Sequence, residues 1–272
     1  MIAACIFSGP TLPPFMIKEK LGYDLNENHE IVLDSGERIR FLPPVSEGDI
    51  LRVIPQNPKV IGIIDGYFEN VPSVWHKEIL HAMSQGIHVL GASSMGALRA
   101  AELAPFGMEG VGAIFRAFAD GFLEDDDEVT VVHGPREFGF PLLSEAMVNI
   151  RRTLEDARNQ KILSPSDCEA LVSIAKNLHY KNRSYGKILS LAEEQGHNGN
   201  DMNRFRNWLK EGRKDQKLVD ALALLEKVIE KINAGIERKT VLYNFENTVI
   251  WKKNKSGSME AIEWPKIKKT LE

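Results

Sequence analysis

Apolar residues gather in short runs through the first half of the chain, and each run stops at or just before a glycine. Ile2 to Phe7 leads into Ser8-Gly9-Pro10, Val60 to Ile64 into Asp65-Gly66, Ile87 to Leu90 into Gly91-Ala92-Ser93-Ser94, and Val129 to Val132 into His133-Gly134-Pro135. Continuous apolar runs of this length, without polar alternation, mark strands covered on both faces, as in a parallel sheet. Between them the spacing changes to three and four: Val74, Ile79, Leu80 and Met83 within residues 72–85, and an Ala-rich stretch from Met95 to Leu103. Strand, helix, strand, helix at this density is the βαβ pattern.

From about residue 140 the period stays helical. Leu142, Leu143, Ala146, Met147, Ile150 and Leu154 share one stripe, and Ser164-Pro165 supplies an N-cap and first-turn pair for the next helix. Further helices are expected over 165–180, 185–195, 201–211 and 215–234, the last with Leu218, Ala221, Leu222, Leu225, Val228 and Ile229 aligned. A strand is expected at Thr248 to Trp251, before a Lys-rich tail. The pattern predicts an α/β fold, a Rossmann-like three-layer sandwich with a mainly parallel sheet over residues 1–155, followed by a C-terminal helical subdomain over 156–272.

Composition narrows the class. The 272 residues are 43% apolar, with 34 basic and 38 acidic side chains, an ordinary globular balance. Only Cys5 and Cys168 are present, which excludes a disulfide scaffold and zinc-finger spacing. No run approaches the roughly 18 apolar residues of a membrane span, and the start carries no basic leader, so a cytoplasmic protein is expected. The net charge of −4 hides a gradient: residues 1–150 hold 10 basic and 21 acidic side chains, and 151–272 hold 24 and 17. Two surfaces of opposite sign are expected, the basic one suited to an acidic partner.

Ligands of open parallel sheets bind beyond the carboxyl ends of the strands, so candidate chemistry is sought at the strand ends. The sharpest feature is the run Gly91-Ala92-Ser93-Ser94-Met95-Gly96-Ala97-Leu98-Arg99-Ala100-Ala101-Glu102-Leu103. Residues 92–96 read as small-x-Ser-x-Gly resemble a nucleophile elbow, with Ala92 where glycine is usual. Ser93 or Ser94 could equally cap the helix that follows. A nucleophilic serine needs a base, and His76 or His133 is available, with Asp65, or Asp126 or Asp127, as the orienting acid. Arg99 and Glu102, three apart, form an intrahelical pair unless Arg99 binds a carboxyl group. The run Glu124 to Glu128 suits a solvated turn better than a metal site. Neither a Walker A segment nor a GxGxxG follows a strand, so no nucleotide is indicated, and the interspersed acids argue against nucleic acid as a partner.

Asp65-Gly66-Tyr67-Phe68, Val74 to Leu80, the run Gly91 to Leu103, Phe106 to Gly112 and Asp126 to Val129 together resemble the TfuA-like family over roughly residues 1–155. The resemblance implies a partner of YcaO-type enzymes, which activate a peptide amide with ATP and replace its oxygen by sulfur. It further implies release or delivery of sulfide from a thiocarboxylated sulfur carrier of the ThiS type, without a bound cofactor. On that basis Ser94 is expected to be the nucleophile or to position water, with Ser93 as cap, His76 as base, and Asp65 or Glu78 orienting it. Ser93, Met95 and Gly96 at the helix start would bind the anion, Arg99, beside Glu102, would hold the carrier's terminal carboxyl group, and His133 would be the second possible base. Two competitors differ in class: a non-catalytic adaptor docking carrier and YcaO enzyme, and a small-molecule thioester hydrolase.

Overall fold

The computed structural model describes residues 1–69, 71–248 and 251, and these divide into two compact units. One comprises Met1–Phe122 together with the residues from Asp220 onward; the other is Leu123–Val219. The cut expected between 155 and 156 is therefore replaced by an insertion, with the chain returning to the first unit within the helix Gln216–Asn233.

The first unit is built on a six-stranded sheet in the order β2-β3-β1-β4-β5-β6. The strands are β1 (Ile2–Phe7), β2 (Glu30–Val32), β3 (Arg38–Leu42), β4 (Val60–Ile63), β5 (His88–Ala92) and β6 (Glu109–Val111). All neighbours pair in parallel except β2, which runs antiparallel to β3. Every residue of β1 and β4 is buried, as strands covered on both faces must be. Helix α1 (Pro14–Leu21) follows β1. On one face Cys5, Phe7, Ile61, Ile63 and Val89 share a core with Ile50 and Val53 of α2 (Asp49–Val53), Ile79 and Met83 of α3 (His76–Ser84) and Ala100 and Leu103 of α4 (Met95–Leu103). On the other, Leu224 lies 3.0 Å from where a Cβ of Gly62 would stand, which places the helix Gln216–Asn233 there. The expected three-layer α/β sandwich is present.

Two details differ from the sequence pattern. The run Val129 to Val132 is not a strand of the sheet: it follows a 3-10 turn at Asp126–Glu128 and leads into an isolated bridge between His133 and Leu142. The sixth strand is instead Glu109–Val111, whose Gly-rich sequence carries no apolar run to announce it. The strands Glu30–Val32 and Arg38–Leu42 were also absent from the pattern, because Arg38, Arg40 and Glu30 interrupt it; the three charges pair with one another across the edge, at 2.7 Å for Arg40 and 3.3 Å for Arg38.

The second unit is helical: Met147–Asn159, Pro165–Asn177, Tyr185–Glu194 and Asn200–Gly212 close on a core of Ile150, Leu154, Leu171, Ile188 and Phe205. Ser164 caps the second of these as its sequence indicates, its Oγ accepting from Asp167 N–H at 3.1 Å with Pro165 at the first turn. This unit holds 15 basic and 16 acidic side chains, so the basic excess of the helices is matched by the acids before them. Glu128 takes a two-pronged bond from Arg151 at 2.8 and 2.9 Å, and Asp127 accepts from the fully buried Arg183 at 2.7 Å and from Lys176. Among the described residues no helix is long and apolar enough to cross a membrane. Of the expected strand at Thr248 to Trp251, residues 249 and 250 lie outside the described residues, as does the Lys-rich tail, while Thr248 is irregular and Trp251 helical.

Candidate functional site

β1 is flanked by β3 on one side and β4 on the other, so the chain leaves it in opposite directions and the switch point of the sheet lies beyond the carboxyl ends of β1 and β4. The strand next to β4 is β5, and its abrupt turn into α4 is the most constrained piece of backbone at this edge. Ser93 sits there at φ 68°, a left-handed conformation uncommon for a residue with a side chain. Ser94 N–H donates back to Ala92 O at 2.8 Å, closing an i to i+2 turn around Ser93. Two glycines make the turn possible. A Cβ on Gly91 would stand 2.1 Å from Gly96 O, and one on Gly96 would stand 1.8 Å from Ile63 O.

Neither serine caps the helix. Ser94, at the N-cap, makes no side-chain cap bond, and Ser93 Oγ is fully buried without a hydrogen-bond partner among the described residues. A buried hydroxyl left unbonded costs about 1–3 kcal/mol, and positive φ at a residue with a side chain adds to it; such costs gather where function needs them. The elbow conformation thus belongs to Ser93, in the frame Gly91-Ala92-Ser93, and not to Ser94 in the frame Ala92 to Gly96. Gly91, two residues before Ser93, is the signal that the sequence held and the shifted frame concealed.

The donors at the helix start are fewer than expected. Gly96 N–H is committed to Ile64 O at 3.2 Å, and Ala97 and Leu98 both donate to Ser94 O. That leaves Met95 N–H as the first-turn donor without a backbone acceptor among the described residues. Gly96 is a packing residue, not an anion binder.

His76 opens α3 and is bonded through Nε2 to Glu102 at 2.7 Å, both half-exposed. Glu102 lies eight residues along α4 from Ser94, about 12 Å at 1.5 Å per residue, so His76 is held well down the helix from the serine turn. Arg99 joins them, donating to Glu102 at 2.7 Å and to Val74 O at 3.2 Å. Partial burial would raise the Glu102 carboxyl, but the bonds and charges of His76 and Arg99 outweigh it and hold it below the usual range. Arg99 is accordingly an intrahelical partner of Glu102 and not a free carboxylate clamp.

Asp65 does not orient a histidine. Buried at the end of β4, its Oδ2 accepts from Gly9 N–H at 2.8 Å and Thr11 N–H at 3.0 Å, and its Oδ1 from the Thr11 hydroxyl at 2.5 Å. Thr11 and Gly9 are the partners that sequence reasoning missed, since nothing in Ser8-Gly9-Pro10-Thr11 signals a carboxylate 54 residues away. Glu78 faces elsewhere too: its Oε1 accepts from Gly48 N–H at 2.8 Å and Trp75 N–H at 3.4 Å, at the starts of α2 and α3, and its Oε2 is buried without a partner among the described residues. Burial pushes its pKa up to about 7, against the two backbone bonds that lower it and with Asp49 and Glu47 adding to the rise.

His133 belongs to the second unit, where its Nδ1 is 2.9 Å from Gly134 O and its ring meets Phe140 edge-on at 5.3 Å. Asp127, its possible acid, is bound instead to Arg183 and Lys176; burial opposes ionisation there, yet these two cations hold it below its ordinary value. His76 is thus paired with neither Asp65 nor Glu78, and Asp127, expected with Asp126 as the acid for His133, is taken by Arg183 and Lys176, while the serine turn itself is formed.

Residues 65–184 match the family described as TfuA-like protein. Among curated proteins none matches the chain.

Proposed function

We propose that this chain, whose residues 65–184 match the TfuA-like family, a family associated with YcaO-dependent thioamidation, releases sulfide from a thiocarboxylated carrier protein of the ThiS type at the Ser93 turn. The observation that carries this reading is the buried, unbonded Ser93 hydroxyl held at positive φ beyond the carboxyl end of β5. In the proposed reaction Ser93 Oγ attacks the thiocarboxyl carbon, forming a C–O bond. The hydroxyl proton goes to a general base, and the tetrahedral oxyanion is stabilised by Met95 N–H. The base then passes that proton to sulfur, and collapse breaks the C–S bond and expels hydrosulfide. Water then cleaves the ester, returning the carrier as its carboxylate and Ser93 as its hydroxyl.

Neither thiol offers a competing route for the sulfur. Burial pushes the Cys5 thiol up to about 12 and raises Cys168 as well, whereas a sulfur relay needs a thiolate. The reading is tested by incubating the isolated protein with thiocarboxylated carrier and no YcaO enzyme, and measuring free sulfide. Catalytic release supports it. No release, with sulfide transferred only when the YcaO enzyme and its peptide are added, would favour the adaptor reading, and cleavage of simple thioesters without a carrier would favour the small-molecule hydrolase.

A further inference from the structure

The serine turn rests on the end of β4, and that end is pinned from across the switch point of the sheet. Contact with α4 is made at three places in four residues. Ile63 O faces the bare Cα of Gly96, Ile64 O accepts Gly96 N–H at 3.2 Å, and a Cβ on Gly66 would stand 2.7 Å from Met95 Cγ. Between Ile64 and Gly66 stands Asp65, 2% exposed, whose side chain takes its three bonds from the loop after β1. Its main chain is tied as well, N–H to Phe7 O at 3.3 Å and carbonyl to Val45 N–H at 2.9 Å.

We infer that Asp65 and Thr11 are positioning residues of the Ser93 turn: the Thr11–Asp65 contact fixes residues 63–66, and these fix the start of α4 and with it the left-handed backbone of Ser93. The coupling follows from the packing. Hydrogen bonds to a carboxylate are about twice as strong as neutral ones, and a buried oxygen deprived of its donor shifts to recover one or bears the desolvation cost. Because a glycine faces Ile63 O, no side chain lies between β4 and α4 to absorb such a shift. A misplacement of about 1 Å at a reacting group costs on the order of a hundredfold in rate.

Thr11→Val removes the hydroxyl and keeps the shape. Two readouts are made on the whole protein: amide hydrogen exchange at Gly96, and kcat and KM for sulfide release. The kinetic half rests on the proposed function; the exchange half does not. In Thr11→Val the Gly96 amide is expected to exchange about tenfold faster while the amides of the second unit are unchanged, and kcat to fall roughly tenfold with KM for the carrier unaltered. Asp65→Asn, which cannot accept from all three donors, should give the same local signature. Thr11→Ser should restore both values, and Ser8→Ala, whose hydroxyl bonds Leu12 O in the same loop at 3.3 Å, should leave both unchanged. Unaltered Gly96 exchange in Thr11→Val overturns the inference, as does faster exchange spread evenly over both units. If the wild type releases no sulfide, the functional reading fails while the exchange at Gly96 still decides whether Thr11 and Asp65 hold the turn.

Discussion

Glu78→Gln isolates a buried carboxyl group in the first unit whose ionisation the fold opposes. The residue is 1% exposed, one oxygen bonded to Gly48 and Trp75 N–H and the other to no group among the described residues. Its pKa rises from 4.5 to about 7, so the folded protein holds this proton more tightly than the unfolded chain. The stability it gives is therefore fully present below about pH 4.5 and is lost as the pH climbs to about 7. A difference of about 2.5 pH units corresponds to about 3 kcal/mol, at 1.36 kcal/mol for each unit. Glutamine carries no charge at any pH and should remove this component of the slope. Urea unfolding of both proteins at pH 4.5 and pH 8 measures it, followed through the first unit. The stability of Glu78→Gln relative to wild type should rise by about 3 kcal/mol between the two pH values, which is roughly 6–12 °C in Tm for a domain of this size. Whatever constant cost the amide brings cancels in that comparison. A stability difference that is the same at both pH values would refute the reasoning.

Other positions give sharper local answers. Arg183→Leu strands Asp127 and should destabilise the second unit by about 3–5 kcal/mol, since the guanidinium is fully buried; denaturant titration of that unit reads it. Ser164→Ala removes the cap on Asp167 N–H and should cost about 1 kcal/mol in the same assay. Gly96→Ala drives a methyl into Ile63 O and should cost at least about 2 kcal/mol of stability while displacing the turn. His76→Ala breaks a half-exposed pair with Glu102, so its effect on stability should stay below about 1 kcal/mol and sulfide release should persist.

What the sequence revealed follows from how locally each feature is determined. The strand ending at Phe7, the strand pair around Val60 and Val89, and helix Met95–Leu103 are all visible because runs of apolar residues and a glycine stop lie within a few residues of one another. β3 (Arg38–Leu42), second in the sheet, is hidden because Arg38 and Arg40 pair with Glu30 of the edge strand β2, which no local pattern reports. Val129 to Val132 misleads for the complementary reason: a β-rich run meets no sheet edge and lies in a loop instead, with Val129 and Thr130 buried. At the site, the strand-to-helix serine turn was legible, but its frame was not. The choice between Ser93 and Ser94 depends on which residue takes positive φ, and that is set by the approach of Gly91 to Gly96 and of Gly96 to Ile63. Asp65 was legible as a buried acid at a strand end, whereas its partners Gly9 and Thr11 come from across the sheet. The histidines were drawn toward the serines by residue type alone, and His76 is claimed by Glu102 and Arg99 on the surface of α4.

Single-turnover sulfide release from a thiocarboxylated carrier, compared between Ser93→Ala, Ser94→Ala and wild type, tests the central claim most directly. The account predicts that Ser93→Ala loses about a hundredfold or more, while Ser94→Ala, whose side chain neither caps α4 nor takes the elbow conformation, keeps most of the rate. Full release by Ser93→Ala would contradict it.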